Sequence, residues 1–190
     1  VKNWVRLGML PPSQKKLAII LTNFPNKNAR IGNAVGLDTP ASAIALLRAL
    51  AAQGYDTGEI PADGDSLMAA IIGRLSLDQD EVTDRQMDQA VGHVPAARYA
   101  EWFSQIGEKP RGEMQKEWGA PPGNAFLHNG SLVIPGIILG GVYVGVQPAR
   151  GYGDNPRAIY HSPDLAPTHH YLAFYRWLRE DFGAQAVVHL

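Results

Sequence analysis

Three short apolar runs, each closed by turn-forming or polar residues, constrain the fold of this chain more than anything else in it. The first is Lys16-Leu17-Ala18-Ile19-Ile20-Leu21-Thr22, ended by Asn23, Pro25 and Asn26. The second, Val142-Tyr143-Val144-Gly145-Val146, stops at Gln147-Pro148-Ala149-Arg150-Gly151, and the third is Ala186-Val187-Val188-His189-Leu190. Runs of this length, partly β-branched and without polar alternation, read as strands buried on both faces, and helices are what cover such strands. Helix signals follow the first two. Asp38-Thr39-Pro40 supplies an N-cap with proline in the first turn, Ile44, Leu47, Leu50 and Ala51 recur at helical spacing, and Gly54 sits where a C-terminal cap belongs. Thr168 caps a second helix whose Tyr171, Tyr175, Leu178 and Phe182 share one face, ended by Gly183. The pattern predicts an α/β fold with a mainly parallel sheet flanked by helices, the three runs lying in one sheet.

Between these units the sequence predicts a peripheral helical insertion over about residues 60–118. Asp65-Ser66 can cap Leu67 to Leu75, Thr83-Asp84-Arg85-Gln86 has capping-box spacing, and Ala96 to Ile106 follows Pro95 and ends at Gly107. The Pro- and Gly-rich stretch Gly119 to Gly123 marks a boundary, after which Leu132-Val133-Ile134 reads as a further strand. At 190 residues the expectation is a single α/β domain spanning 1–190. With 17 basic and 18 acidic residues and no charged block, nucleic acid is not an expected partner. No apolar run has the length of a membrane span, since Leu132 to Val146 is broken by Pro135 and several glycines. The chain has no cysteine, so any metal contact must use nitrogen or oxygen ligands, and a cytoplasmic location is expected. Val1-Lys2-Asn3-Trp4 has neither an initiator Met nor a signal pattern, and the chain stops on an apolar run, so a piece of a larger protein is expected.

In α/β sheets, ligands sit beyond the carboxyl ends of the strands, which singles out two segments. Arg30 to Pro40 contains Gly32, Asn33, Gly36 and Asp38, able to bring backbone close to a ligand at a helix start, but it matches neither the dinucleotide nor the P-loop fingerprint. Its other reading is a turn in which Asp38 and Thr39 only cap the helix. The segment from Gln147 to Tyr171 gathers Gln147, Arg150, His161, Asp164, His169 and His170, and four of the six histidines fall between His161 and His189. Imidazole can ligate a divalent metal or accept a proton near neutral pH, and a nearby carboxylate can orient it. The eight-residue gap from His161 to His169 gives no preformed zinc motif, and loop or cap roles are the alternative for these histidines. Arg150 could grip a carboxylate or tie its loop down, and His189 could equally be a strand-end residue.

These segments resemble the cobaltochelatase large subunit and its paralogue, the large (H-type) component of magnesium chelatase. The resemblance rests on RIGNAVGLDTP at Arg30 to Pro40, the G-x-Q-P-x-x-G motif at Gly145 to Gly151, YHSPDLAPTHHYLAFY at Tyr160 to Tyr175, and the ending AVVHL. It implies a large protein that binds a tetrapyrrole and works with an AAA+ ATPase subunit and a subunit carrying an integrin-like metal-binding domain, with ATP and magnesium held on those partners. The cobaltochelatase form implies that a cobalt ion, as substrate, enters a corrin precursor, hydrogenobyrinic acid a,c-diamide; the alternatives are magnesium insertion into protoporphyrin and a non-catalytic α/β binding or scaffold module. On this resemblance His169 and His189 are the expected metal-handling residues, with His161 and Asp164 as further ligands or bases. Gln147 and Arg150, with Asn33 and Asp38, would hold the macrocycle, all converging on one cleft. A fragment of such a protein is not expected to be active alone.

Overall fold

The computed structural model describes residues 2–22, 33–34, 37–78, 81–151 and 165–190. The chain opens with helix α1 (Lys2–Met9) and a 3-10 turn (Pro12–Gln14), then enters strand β1 (Leu17–Leu21). A two-residue ladder, β2 (Asn33–Ala34) with β3 (Leu37–Asp38), leads into α2 (Thr39–Ala52). Next come α3 (Gly64–Arg74), α4 (Asp84–Asp88), β4 (Gly92–Pro95), α5 (Ala96–Ser104) and α6 (Glu108–Trp118). Strands β5 (Leu127–His128), β6 (Ser131–Ile134), β7 (Ile137–Leu139) and β8 (Val142–Val146) follow, and α7 (His169–Glu180) and β9 (Ala186–His189) complete the described chain.

The main sheet has the order β7-β8-β1-β9. β1 pairs in parallel with β8 on one side and β9 on the other, so the three apolar runs share one sheet as expected, and β7 adds an antiparallel edge. All five residues of β1 are buried because both faces are covered. Leu17, Ile19 and Leu21 join Ala43, Ile44 and Leu47 of α2 and Leu67 and Ile71 of α3 in one cluster. Ala18 and Ile20 face the opposite cluster, with Tyr99 and Phe103 of α5 and Ala173, Phe174 and Trp177 of α7. Each fully buried aliphatic side chain contributes about 1.5–3 kcal/mol relative to an exposed one, so this double-sided strand is the centre of the fold.

Local chemistry sets the element starts. The Asp38 carboxylate accepts the Ala41 N–H at 3.0 Å, the Thr168 hydroxyl accepts the Tyr171 N–H at 3.1 Å, and Thr83 with Gln86 forms a capping box. Gly145, in the middle of β8, is explained by packing. The Tyr143 ring lies over it while its hydroxyl donates to the Pro135 carbonyl at 2.6 Å, and a Cβ at Gly145 would collide with that hydroxyl.

The segment 60–118 holds four helices and one strand. β4 pairs antiparallel with β6, and β6 with β5, in a second sheet of three strands. Tyr99 and Trp102 of α5 are buried, 0% and 3% exposed, so this part of the segment supplies core rather than an outer layer.

Candidate functional site

The connections leaving β1 and β8, neighbours in the sheet, reach helices on opposite faces: α2 packs in the cluster on one side and α7 in that on the other. Loops that part in this way open a crevice beyond the carboxyl ends of the strands. Hydrogen bonds carry the sheet one step further there. Gln147 N–H donates to the Leu21 carbonyl at 2.9 Å and Leu190 N–H to the Ile20 carbonyl at 2.9 Å. Gln147 and His189 thus flank the end of β1, about two strand spacings, or ~10 Å, apart.

A cleft of about 480 Å³ lies here, lined by Gln147, Pro167, Tyr171, Leu172, Tyr175 and His189. Its described lining carries no Asp, Glu, Lys or Arg. The Gln147 amide donates from Nε2 to the Tyr171 hydroxyl at 2.9 Å and to the Tyr175 hydroxyl at 3.1 Å. The two rings lie 4.9 Å apart, and Tyr175 stacks on the His189 imidazole at 6.2 Å with an interplanar angle of 26°. Burial, then the neighbouring Tyr171, pushes the Tyr175 phenol well above its ordinary range, so both its ring and its hydroxyl stay neutral. His189 is exposed at the end of the edge strand, with its imidazole open to a ligand.

The other predicted residues lie elsewhere. His169 is 3% exposed in the first turn of α7, and both of its ring nitrogens are engaged: Nδ1 with the Tyr99 hydroxyl at 2.7 Å and Nε2 with the Gly119 carbonyl at 3.0 Å. Since a carbonyl only accepts, Nε2 carries the proton, and Nδ1 accepts from Tyr99. Burial lowers the His169 pKa, opposed by the Gly119 carbonyl. Its ring also meets Phe103 edge-on at 5.2 Å, and Gly123, at φ 73, lets the turn pass where a Cβ would come 3.1 Å from Cδ2. His169 lines a separate, smaller cavity of about 190 Å³, beside Trp118 and Asn124. His170 is buried too: Nε2 donates to the Val133 carbonyl at 2.8 Å, the ring stacks on Phe126 at 4.5 Å, and burial takes its pKa down to about 4.

Arg150 donates to the Leu165 carbonyl at 3.3 Å, while its own carbonyl accepts Thr168 N–H at 3.1 Å. The side chain therefore braces the loop against the start of α7. Asp38 is exposed and caps α2, and Asn33 pairs with it in the β2–β3 ladder. His161 and Asp164 lie outside the described residues. So the structure unites Gln147 and His189 in one cleft and puts His169 in another cavity. Among the described residues no cluster of three His, Asp or Glu forms a preset metal site. Tyr171 and Tyr175 were legible only as a helix face; the missed signal was two tyrosines four residues apart just after a cap, apolar rings with polar tips suited to a half-buried wall.

A model of the CobN/magnesium chelatase family matches residues 1–190. The chain belongs to this family. An aerobic cobaltochelatase subunit CobN from a Sinorhizobium species is 41% identical over 192 residues, covering 99% of this chain and 14% of that protein. The H-type magnesium-chelatase protein of Rhodobacter capsulatus is 32% identical over 191 residues, covering 97% of this chain and 15% of that protein. The solved catalytic subunit of cobaltochelatase from Mycobacterium tuberculosis superposes with a TM-score of 0.80 at 40% identity, over 98% of this chain and 16% of that one. The chain therefore spans 14 to 16% of the length of these relatives. No helix among the described residues is long and apolar enough to cross a membrane.

Proposed function

We propose that this chain forms part of the tetrapyrrole-binding portion of the large subunit of an ATP-dependent cobaltochelatase, acting in the cytoplasm in cobalamin biosynthesis. The cleft that joins Gln147, Tyr171, Tyr175 and His189 at the carboxyl ends of the parallel strands carries this reading. A flat macrocycle needs a wide apolar wall with a few polar anchors, and this cleft offers two tyrosine rings, Leu172 and Pro167 beside one amide and one imidazole.

Metal insertion requires that water leave the ion, that the ion meet the ring, and that the inner nitrogens lose their protons. The His189 imidazole is suited to the last two acts, as a ligand to the incoming cobalt ion or as a base for a ring proton. Gln147 anchors the tyrosines and is placed to meet peripheral amides. His161 and Asp164 are further ligand or base candidates, and Arg150 supports the loop that carries them. His169 enters as the residue that fixes the start of α7. ATP and magnesium would act on the AAA+ ATPase and integrin-like-domain partners, in keeping with the absence of a P-loop sequence here.

The relatives favour cobalt over magnesium: CobN proteins of two bacteria are 41% and 39% identical to this chain, against 27 to 32% for the bacterial H-type magnesium-chelatase proteins. The test is a side-by-side titration of the longer protein with hydrogenobyrinic acid a,c-diamide and protoporphyrin, followed by insertion assays with cobalt and magnesium. The reading predicts at least roughly tenfold tighter binding of the corrin precursor, a difference of about 1.4 kcal/mol, and insertion of cobalt. Preference for protoporphyrin and magnesium would overturn it.

A further inference from the structure

We infer that Tyr175 is a positioning residue for His189, and that Gln147 acts on the same imidazole through it. This inference rests on the reading of the cleft proposed above. His189 stands at the exposed end of an edge strand, and among the described residues neither of its ring nitrogens has a hydrogen-bond partner. A histidine that handles a metal or a proton is ordinarily oriented by a hydrogen bond from its second nitrogen. Here the described contact on the ring is a stacked face, that of Tyr175 at 6.2 Å and 26°.

Tyr175 is held from three sides. Its hydroxyl receives the Gln147 amide at 3.1 Å, its ring meets Phe174 edge-on at 5.1 Å, and Tyr171 lies 4.9 Å away. Phe174 is fully buried between α7 and the sheet, so it is a fixed abutment. Gln147 is fixed in turn by its backbone bond to Leu21. A path of direct contacts therefore runs from the end of β1, through the Gln147 amide and the Tyr175 ring, to an imidazole that would otherwise rotate freely at the cleft. Free rotation costs rate because the ion and the ring proton must be met at one angle, and small misplacement of a reacting group carries a large penalty.

The test uses the longer protein, with Tyr175→Leu, Tyr175→Phe, Gln147→Leu and His189→Ala, in steady-state metal insertion. Tyr175→Leu removes the stacking face and should lower kcat at least about tenfold while the KM for the macrocycle stays within about threefold. Tyr175→Phe keeps the face and should restore most of that rate. Gln147→Leu frees the ring and should fall between them. The deciding comparison is the double variant Tyr175→Leu with His189→Ala: acting through one imidazole, the two losses should not multiply, and the double variant should match His189→Ala within about twofold. Multiplying losses would overturn the inference, as would equal damage from Tyr175→Phe and Tyr175→Leu. A fully active His189→Ala would instead remove His189 from the proposed function itself. If Tyr175→Leu does not fold, Gln147→Leu combined with His189→Ala decides by the same rule.

Discussion

The hydroxyl of Tyr99 lies 2.7 Å from Nδ1 of His169, and the two residues are 0% and 3% exposed. This bond ties α5 to the first turn of α7, and the opposite nitrogen ties α7 to the turn at Gly119. The imidazole is thus a three-way joint between segments far apart in sequence. Tyr99→Phe keeps the ring but leaves Nδ1 buried without a donor, which should cost about 1–3 kcal/mol. In a chain of this size the thermal midpoint should fall by roughly 2–4 °C per kcal/mol, measured by calorimetry. An unchanged midpoint would show that the bond does not hold α7.

His170 makes stability depend on acidity. Its pKa falls from 6.5 to about 4 in the folded protein, because burial disfavours the imidazolium. The unfolded chain then binds the proton first, so the stabilising difference is complete above pH 6.5 and is lost as pH falls toward 4. At 1.36 kcal/mol per unit the full loss is roughly 3 kcal/mol. His169, also lowered by burial, adds in the same direction. Denaturant titrations between pH 4 and 7 should show this decline in the wild type and a flatter slope in His170→Phe; equal slopes would contradict it.

Gly145→Ala should destabilise the protein by about 1–3 kcal/mol, the range for forcing a methyl into a packed core. The added Cβ must displace the Tyr143 hydroxyl, which is fully buried and has the Pro135 carbonyl as its partner. Tyr143→Phe combined with Gly145→Ala should recover part of the loss, since the colliding atom is then gone. No recovery in the double variant would show that the glycine answers another need.

The strands of the main sheet and the caps of α2, α4 and α7 were legible because each is written locally, in apolar runs or in Asp38, Thr83 and Thr168. β4 was not, since Gly92 and Pro95 bracket it and only its pairing with β6 makes it a strand. α6 was hidden by Pro110, Gly112 and a single buried residue, Met114, which leaves no apolar period to read. The site divides in the same way. The sequence points to the loops after β1 and β8, but whether a side chain there faces the cleft or its neighbours depends on distant partners. Tyr99 and Gly119 draw His169 inward, and Leu165 occupies Arg150.

On the proposed reading the macrocycle binds in the cleft of Gln147 and His189, not in the cavity beside His169. The affinity of the longer protein for the corrin precursor decides between the two spaces once each is filled by a bulky side chain, Leu172→Trp in the cleft and Ala125→Trp in the other cavity. Binding in the cleft predicts that Leu172→Trp weakens affinity at least about tenfold, or ~1.4 kcal/mol, with Ala125→Trp within about twofold of the wild type. Loss of binding in Ala125→Trp with full affinity in Leu172→Trp would contradict it and move the site to His169.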